Sequence, residues 1–215
     1  MAGTPTFYLL AGPNGSGKST LHRFLCRRFA DIGAVEFVNA DEIAKAIGGQ
    51  DTPERAEQAR LAADERRAEL LRAGTSFCSE TVFSHESKID LVASAKQAGF
   101  EVHLFVVCVD NPSLSELRVQ QRVARGGHRV PSNKIRERYP RTLKNLEKAI
   151  LLADRCLVFD NSALSALPRL VLALEDGKLV FESPDVPQWA QSLYATAKTA
   201  GGALASTVPT ETRAG

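Results

Sequence analysis

The sequence predicts an α/β fold in which a parallel sheet of five strands is flanked by helices. Three observations support this prediction. Short apolar runs alternate with longer segments of helical periodicity, which is typical of strands joined by crossover helices. A glycine-rich loop, "GPNGSGKST", separates the first apolar run from the first helical segment. The 215 residues, 44% of them hydrophobic and 24% charged, are enough to bury the core of one domain.

Three strands are predicted in the first half of the chain, each as a short apolar run. Residues 6–11 are apolar almost throughout and predict a buried first strand. Residues 34–41 and 75–81 predict the second and third strands, and an acidic residue stands at or next to the end of each run. Between them, residues 51–72 are rich in Ala, Glu and Arg and predict a long helix that is mostly exposed to solvent.

The second half of the chain predicts two further strands and a C-terminal β-hairpin. Residues 86–98 predict a helix, and Gly99 suits its C-terminal cap. Residues 101–110 and 155–162 predict the fourth and fifth strands. Residues 169–183 differ, because two apolar runs flank an Asp-Gly turn signal and therefore predict an antiparallel hairpin at the edge of the sheet.

We expect one domain over residues 1–198 and a disordered tail over residues 199–215. The tail is dominated by small residues, threonine and proline, which bury too little apolar surface to fold. Trp189, the single tryptophan, is predicted to pack a short final helix in a structural role.

Cysteine usage and hydropathy predict a cytoplasmic protein without a membrane partner. The four cysteines form no C-x-x-C pair and fall inside apolar segments, so we expect free thiols in a reducing compartment. No apolar run approaches the ~18 residues of a membrane span. The N-terminus lacks the basic-then-apolar pattern of a secretion signal.

The glycine-rich loop matches the phosphate-loop pattern G-x-x-x-x-G-K-[ST] at every fixed position. Backbone N–H groups at the start of the following helix form a cradle for an anion, with the positive end of the helix dipole behind it. Lys18 is expected to reach the β- and γ-phosphates of ATP, and Ser19 to bind Mg²⁺. A chance glycine-rich turn is the alternative, which the strand before and the helix after the loop disfavour. The predicted nucleotide-binding residues of the loop are Gly12, Pro13, Asn14, Gly15, Ser16, Gly17, Lys18, Ser19 and Thr20.

The presence or absence of other motifs distinguishes between three classes of phosphate-loop protein: motor ATPases, GTPase switches and kinases. Transporter-type ATPases have a similar loop but also a glutamine loop, an L-S-G-G-Q signature and a strand that ends in Asp-Glu, and the sequence contains none of these. The guanine-reading N-K-x-D of GTPases is also absent from the sequence. A kinase is therefore the favoured class.

Two carboxylates are predicted at the carboxyl ends of strands, where the active site of a doubly wound sheet lies. A kinase that acts on a hydroxyl needs one carboxylate to accept the proton, and Asp41 is the candidate base. Glu80 is the candidate for holding the acceptor or a metal-bound water. The alternative for Asp41 is a helix N-cap, since a helical segment follows it. Asn39 and Thr81 are expected to line the same rim.

A basic segment between Arg118 and Lys148 contains ten Lys and Arg residues and two acids. We predict that residues 118–142 form a helical lid with a hinge at Gly126 and Gly127, which closes arginines on the transferred phosphoryl group. His128 is predicted to belong to the hinge or a cap. The lid arginines are Arg122, Arg125, Arg136, Arg138 and Arg141.

Two alternatives remain for the basic segment. A nucleic-acid groove is disfavoured because the segment has one aromatic residue, Tyr139, and no stacking pattern. The other alternative is that some of these charges simply lie on helix faces exposed to solvent, and Lys144 and Lys148 are the first candidates for this.

Taken in order, the motifs AGPNGSGKST, VNADEIAKAI, SFCSETVFS, RVQQRVARGGHRVPSNKIRERYPRT and VFDNS resemble the zeta-toxin-like family of P-loop kinases, and its short bacterial branch most closely. The resemblance covers residues from about 5 to 165. It implies a P-loop kinase fold and a transferase that uses ATP and magnesium. Characterised zeta toxins phosphorylate an amino-sugar hydroxyl of UDP-N-acetylglucosamine, and a small antitoxin protein commonly holds them inactive.

The resemblance also implies roles for individual residues. Lys18 and Ser19 match the family's nucleotide-binding residues, Asp41 matches its base, and Glu80 matches the acid at the end of its third strand. The remaining matches are the lid arginines, Arg125 and Arg138, and an adenine-side residue, Asn161. This sequence departs from the short branch at Arg129, where an acid often follows the G-G-H motif.

Together these observations predict an ATP- and magnesium-dependent phosphotransferase that acts on a hydroxyl of a small nucleotide-linked acceptor such as UDP-N-acetylglucosamine. The alternatives are a metabolic kinase for a sugar, a nucleoside or an antibiotic, and a nucleic-acid-associated ATPase built on the basic segment. Growth arrest on expression would favour the toxin, and steeply salt-dependent binding to nucleic acid would favour the ATPase.

Overall fold

The computed structural model describes residues 3–50, 52–125, 127, 129–163 and 167–205, and the side chains of these residues up to residue 200. The strands are β1 Thr6–Ala11, β2 Glu36–Val38, β3 Phe77–Thr81, β4 Glu101–Cys108, β5 Arg155–Asp160, β6 Arg169–Glu175 and β7 Lys178–Glu182. The helices are α1 Lys18–Arg28, α2 Ala30–Ala34, α3 Ala40–Ile47, α4 Pro53–Arg72, α5 Ser87–Gln97, α6 Pro112–Ala124, α7 Ser132–Leu152 and α8 Gln191–Ala205, with a single 3₁₀ turn at Gln188–Ala190.

The strands form one mixed sheet of seven strands in the order β2-β3-β1-β4-β5-β6-β7. Strands β1 to β5 are parallel, whereas β6 pairs antiparallel with β5 and β7 antiparallel with β6. The predicted sheet of five parallel strands was therefore wrong in extent. The predicted hairpin joins the sheet because β5 would otherwise be an edge strand with unpaired backbone groups.

The two faces of the sheet bury separate cores. Along β1, Phe7 and Leu9 point into the larger core and Tyr8 and Leu10 into the smaller one, as the alternation of side chains along a strand requires. The larger core packs against α4, α5, α7 and α8, and the smaller one against α1 and α2.

Local signals explain most of the helix boundaries. Helices α4 and α6 each begin with proline, after Thr52 and Asn111 respectively, whose side-chain oxygens accept backbone N–H bonds. Helix α5 is followed by Gly99 in the left-handed region, with φ of 81°. The second strand ends earlier than predicted because Asn39 already caps α3.

Two further features concern the C-terminus and the thiols. Helix α8 continues to Ala205, beyond residue 198 where the sequence predicted the end of the domain, and residues 206–215 lie outside the described residues. All four cysteines are free thiols, three of them buried and Cys26 half-buried.

Among the described residues, no helix is both long and apolar enough to cross a membrane.

The strand order determines where the site residues meet. Strand β3 lies between β1 and β2, and all three run parallel. Glu80 at the end of β3 therefore stands between the glycine-rich loop that follows β1 and Asp41, which follows β2.

Candidate active site

The loop that follows β1 approaches neighbouring groups so closely at Gly12, Gly15 and Gly17 that a Cβ at any of them would clash. Gly12 has φ of 153°, and a Cβ there would lie 2.0 Å from the carbonyl oxygen of Val107. Gly17 has φ of 99°, and a Cβ there would lie 2.2 Å from Nδ2 of Asn161. Helix α1 starts directly after Gly17 with no side-chain cap and no acid in its first turn, which leaves its positive dipole end open to an anion.

Lys18 lies inside the loop. Its side chain is 6% exposed, and its Nζ donates to the carbonyl oxygens of Gly12 at 2.9 Å and Pro13 at 3.0 Å. Burial lowers the pKa of the Lys18 ammonium, while the nearby carboxylates of Glu80 and Asp41 act in the opposite direction. The Lys18 charge is therefore close enough to both predicted acids to interact with them electrostatically.

Ser19 and Glu80 meet at the start of α1. The Ser19 hydroxyl donates to Oε2 of Glu80 at 3.1 Å. The backbone strengthens this arrangement, since Leu10 pairs with Glu80 in the β1–β3 register and the N–H of Gly12 donates to the carbonyl oxygen of Thr81 at 3.3 Å. Two oxygen ligands of the type that Mg²⁺ prefers thus lie side by side.

Asp41 lies in the first turn of α3 and does not cap it. The cap is Asn39, whose Oδ1 accepts from the backbone N–H groups of Asp41 at 2.7 Å and Glu42 at 3.4 Å. The Asp41 side chain is left 52% exposed. Asn39 is buried and engaged in this cap, and the Thr81 hydroxyl accepts from the N–H of Phe83 at 3.1 Å.

The lid segment, residues 118–142, comprises the end of α6 and the first half of α7. Nη1 of Arg122 lies 4.0 Å from Oδ2 of Asp41. Arg125 stands at the C-terminal end of α6 and is exposed, and Arg138 is half-buried on α7. Two predicted hinge residues, Gly126 and His128, lie outside the described residues.

Part of the positive charge of the lid segment is paired within the protein. Arg136 on α7 forms an ion pair with Glu116 on α6, and this contact raises the pKa of Arg136 and lowers that of Glu116. Glu137 lies 3.0 Å from Arg141 and 3.7 Å from Lys134. These acids interrupt the basic surface, which is unlike the continuous basic stripe of a nucleic-acid groove.

Asn161 contacts the phosphate loop from the end of β5. Its Nδ2 donates to the carbonyl oxygen of Ser16 at 2.8 Å, and its backbone N–H donates to that of Cys108, also at 2.8 Å. The loop is thus held by β5 as well as by β1 and β3.

Comparison with known proteins decides the family. The family model described as Zeta toxin matches residues 1–167. The chain belongs to the zeta toxin family. As a member of the zeta toxin family, it is an ATP-dependent kinase. A protein of Haemophilus influenzae is 31% identical over 133 residues, which cover 60% of this chain and 88% of that protein.

Solved structures share the fold of this zeta toxin family member. A chain from the PezAT chromosomal toxin–antitoxin system of Streptococcus pneumoniae is similar with a TM-score of 0.56 and 15% identity, over 95% of this chain and 88% of that one. A chain of AvrRxo1-ORF1:-ORF2, crystallised with ATP, is similar with a TM-score of 0.60 and 18% identity, over 90% of this chain and 64% of that one. At these identities the similarity shows the fold.

Sequence reasoning missed the particular contacts of two residues of this zeta toxin family member. Arg122 was predicted only as one of several lid arginines, yet its guanidinium lies 4.0 Å from the carboxylate of Asp41. Its position one helical turn before Arg125 was the available signal. Trp189 was assigned to packing alone, whereas its Nε1 also donates to Asp160 at 3.0 Å.

Proposed function

We propose that this kinase transfers the γ-phosphoryl group of ATP to a hydroxyl of a small nucleotide-linked acceptor, for which UDP-N-acetylglucosamine is the first candidate. Asp41 would be the base. The observation that carries the proposal is the convergence of four groups at the ends of β1, β2 and β3. Lys18 is buried beside both acids, and Ser19 donates to Glu80. A phosphate donor and a hydroxyl acceptor can meet between them.

The loop residues 12–20 and Asn161 would bind the nucleotide. Backbone N–H groups at the start of α1 would donate to the phosphate oxygens, and Lys18 would exchange its bonds to the carbonyls of Gly12 and Pro13 for the β- and γ-phosphates. This exchange needs only a rotation of the lysine side chain, since both carbonyls belong to the same loop.

The residues present fit a magnesium ion. Ser19 would hold Mg²⁺ through its hydroxyl, and Glu80 would hold it directly or through water. Among the described residues, no group of three or more His, Cys, Asp and Glu side chains could hold a metal ion, so phosphate oxygens and water would complete the coordination. When bound, Mg²⁺ neutralises charge on the β- and γ-phosphates.

Asp41 would accept the proton of the acceptor hydroxyl and orient its oxygen toward the γ-phosphorus. The Asn39 cap fixes the first turn of α3 and leaves the Asp41 carboxylate exposed at the rim. Arg122 is within reach of Asp41, and Arg125 and Arg138 would close on the phosphoryl group when the lid segment moves. Closure would exclude water and favour transfer over hydrolysis.

Membership of the zeta toxin family supports the proposed acceptor and the proposed biological role. Zeta toxins act on UDP-N-acetylglucosamine, a precursor of peptidoglycan, and the PezAT structure is named for a toxin–antitoxin system. We therefore propose a toxin that a small antitoxin protein inhibits. A metabolic kinase for a sugar, a nucleoside or an antibiotic would use the same phosphate site with a different acceptor.

The proposal is tested by incubating the purified protein with γ-labelled ATP, Mg²⁺ and a panel of UDP-sugars, beside the Lys18→Ala variant. We expect label on a UDP-amino sugar in the wild type and none in the variant. ATP hydrolysis without transfer to any UDP-sugar would contradict the UDP-sugar acceptor and favour the metabolic kinase. Equal rates in both proteins would contradict the phosphate site itself.

A further inference from the structure

A segment that lies beyond the family match donates a hydrogen bond to the residue before Asn161. The Zeta toxin model ends at residue 167, whereas Trp189 lies in the 3₁₀ turn after the hairpin. Its ring is 5% exposed and belongs to the larger core. The Trp189 Nε1–H nevertheless donates to Oδ1 of Asp160, the last residue of β5, at 3.0 Å.

The Asp160 carboxylate collects several contacts in a small space. Its side chain is only 13% exposed, and Oδ1 also accepts the hydroxyl of Ser162 at 2.6 Å. Ser162 in turn accepts the backbone N–H of Asp110 at 2.9 Å, which ties this turn to the end of β4. Nη2 of Arg169 lies 3.9 Å from the other carboxylate oxygen, Oδ2. We expect Oδ1 to shift or recruit water when it loses one of its donors, because a shielded polar atom without a partner is costly.

Asn161 lies between these two anchored residues. Its side chain donates to the carbonyl oxygen of Ser16 and touches the space beside Gly17, so its placement bears directly on the phosphate loop. The backbone N–H and the hydroxyl of Ser162 both donate to Oδ1 of Asp160 across Asn161, so we expect the Asp160 carboxylate to influence the placement of Asn161.

We propose that Trp189 is a positioning residue for the nucleotide. Its indole N–H holds Asp160, Asp160 with Ser162 holds Asn161, and Asn161 holds the phosphate loop at Ser16. The C-terminal segment after residue 167 thereby completes the nucleotide site of this chain. The inference rests on the proposed nucleotide-binding role of Asn161.

The test measures the dissociation constant for ADP with Mg²⁺ by calorimetry on the full chain. Trp189→Phe keeps an aromatic ring in the core and removes the N–H donor together with part of the buried ring volume. We expect it to raise the dissociation constant by about three- to tenfold, the scale of one ordinary hydrogen bond. Gln191→Met is the matched control, because it removes the hydrogen bond that Gln191 Nε2 donates to the carbonyl oxygen of Val186 at 2.8 Å in the same segment.

A double-mutant cycle separates positioning from general loss of stability. If Trp189 acts through Asn161, Trp189→Phe adds no further loss of ADP affinity in the Asn161→Ala background. Should Trp189→Phe fold poorly, Ser162→Ala tests the same carboxylate with the same expected coupling. An unchanged dissociation constant in Trp189→Phe, or an additive effect, overturns the inference. An unchanged constant in Asn161→Ala alone instead counts against the proposed nucleotide site.

Discussion

At the scale of single residues, Lys18 is a charged group whose burial opposes its charge. Burial lowers its pKa from the ordinary value of 10.5, against the opposing effect of Glu80 and Asp41. Between the lowered pKa and the ordinary one, the folded protein holds fewer protons than the unfolded chain, so the free energy of unfolding rises with pH in this range. A bound phosphate would compensate the buried charge of Lys18.

Replacing Lys18 tests directly whether burial of its charge costs free energy of folding. In Lys18→Met the buried charge is absent, so the increase in unfolding free energy between about pH 8 and about pH 10 should be smaller than in the wild type. Urea unfolding of both proteins at the two pH values measures it, and other titrating groups cancel in the comparison. Parallel pH profiles would show that burial does not penalise this charge.

At the residue scale, motifs determine which residues are predicted for the site, whereas tertiary geometry determines what those residues contact. The phosphate-loop pattern and the acids at strand ends led to Lys18, Ser19, Asp41 and Glu80, which the fold brings together. The contact of Arg122 with Asp41 depends on how α6 lies over the sheet, which helical periodicity does not determine.

At the scale of elements, the N-terminus of α3 is the part whose integrity most affects the proposed base. Asn39→Ala removes the side-chain cap, which costs about 1 kcal/mol of unfolding free energy, and frees the turn that carries Asp41. We expect kcat to fall while the KM for ATP stays unchanged, because the phosphate loop does not contain this cap.

The matched control for the cap is Thr52→Ala. Thr52 caps α4 by accepting the N–H of Arg55 at 3.2 Å, so its loss costs a similar free energy at another helix. Steady-state kinetics and urea unfolding of both variants separate the two effects. Equal kcat values in the two variants would mean that the α3 cap contributes stability alone.

Elements with strong local signals were predicted well, and long-range pairing was not. The first strand has the predicted bounds of Thr6–Ala11, and the Asp-Gly signal marks the turn of the hairpin, where Asp176 and Gly177 have φ of 47° and 72°. That β6 would pair with β5 and extend the sheet to seven strands depends on contacts between distant segments, which a local pattern does not encode.

At the scale of the whole molecule, the proposed kinase activity predicts how the protein affects the growth of bacterial cells. Expression of the wild type in a bacterial host without an antitoxin should stop growth, because phosphorylation of UDP-N-acetylglucosamine would divert a peptidoglycan precursor. Asp41→Asn, expressed to the same level, should relieve the arrest. Growth curves and immunoblots measure both, and normal growth with the wild type would favour a metabolic kinase.

The central claim is that Asp41 is the base of phosphoryl transfer at a site assembled from the ends of β1, β2 and β3. The most direct measurement compares transfer from γ-labelled ATP to UDP-N-acetylglucosamine by the wild type and Asp41→Asn, with ADP affinity measured on the same samples. The account predicts a loss of turnover of about a hundredfold to ten-thousandfold with ADP affinity retained. Turnover near the wild-type value in Asp41→Asn would contradict it.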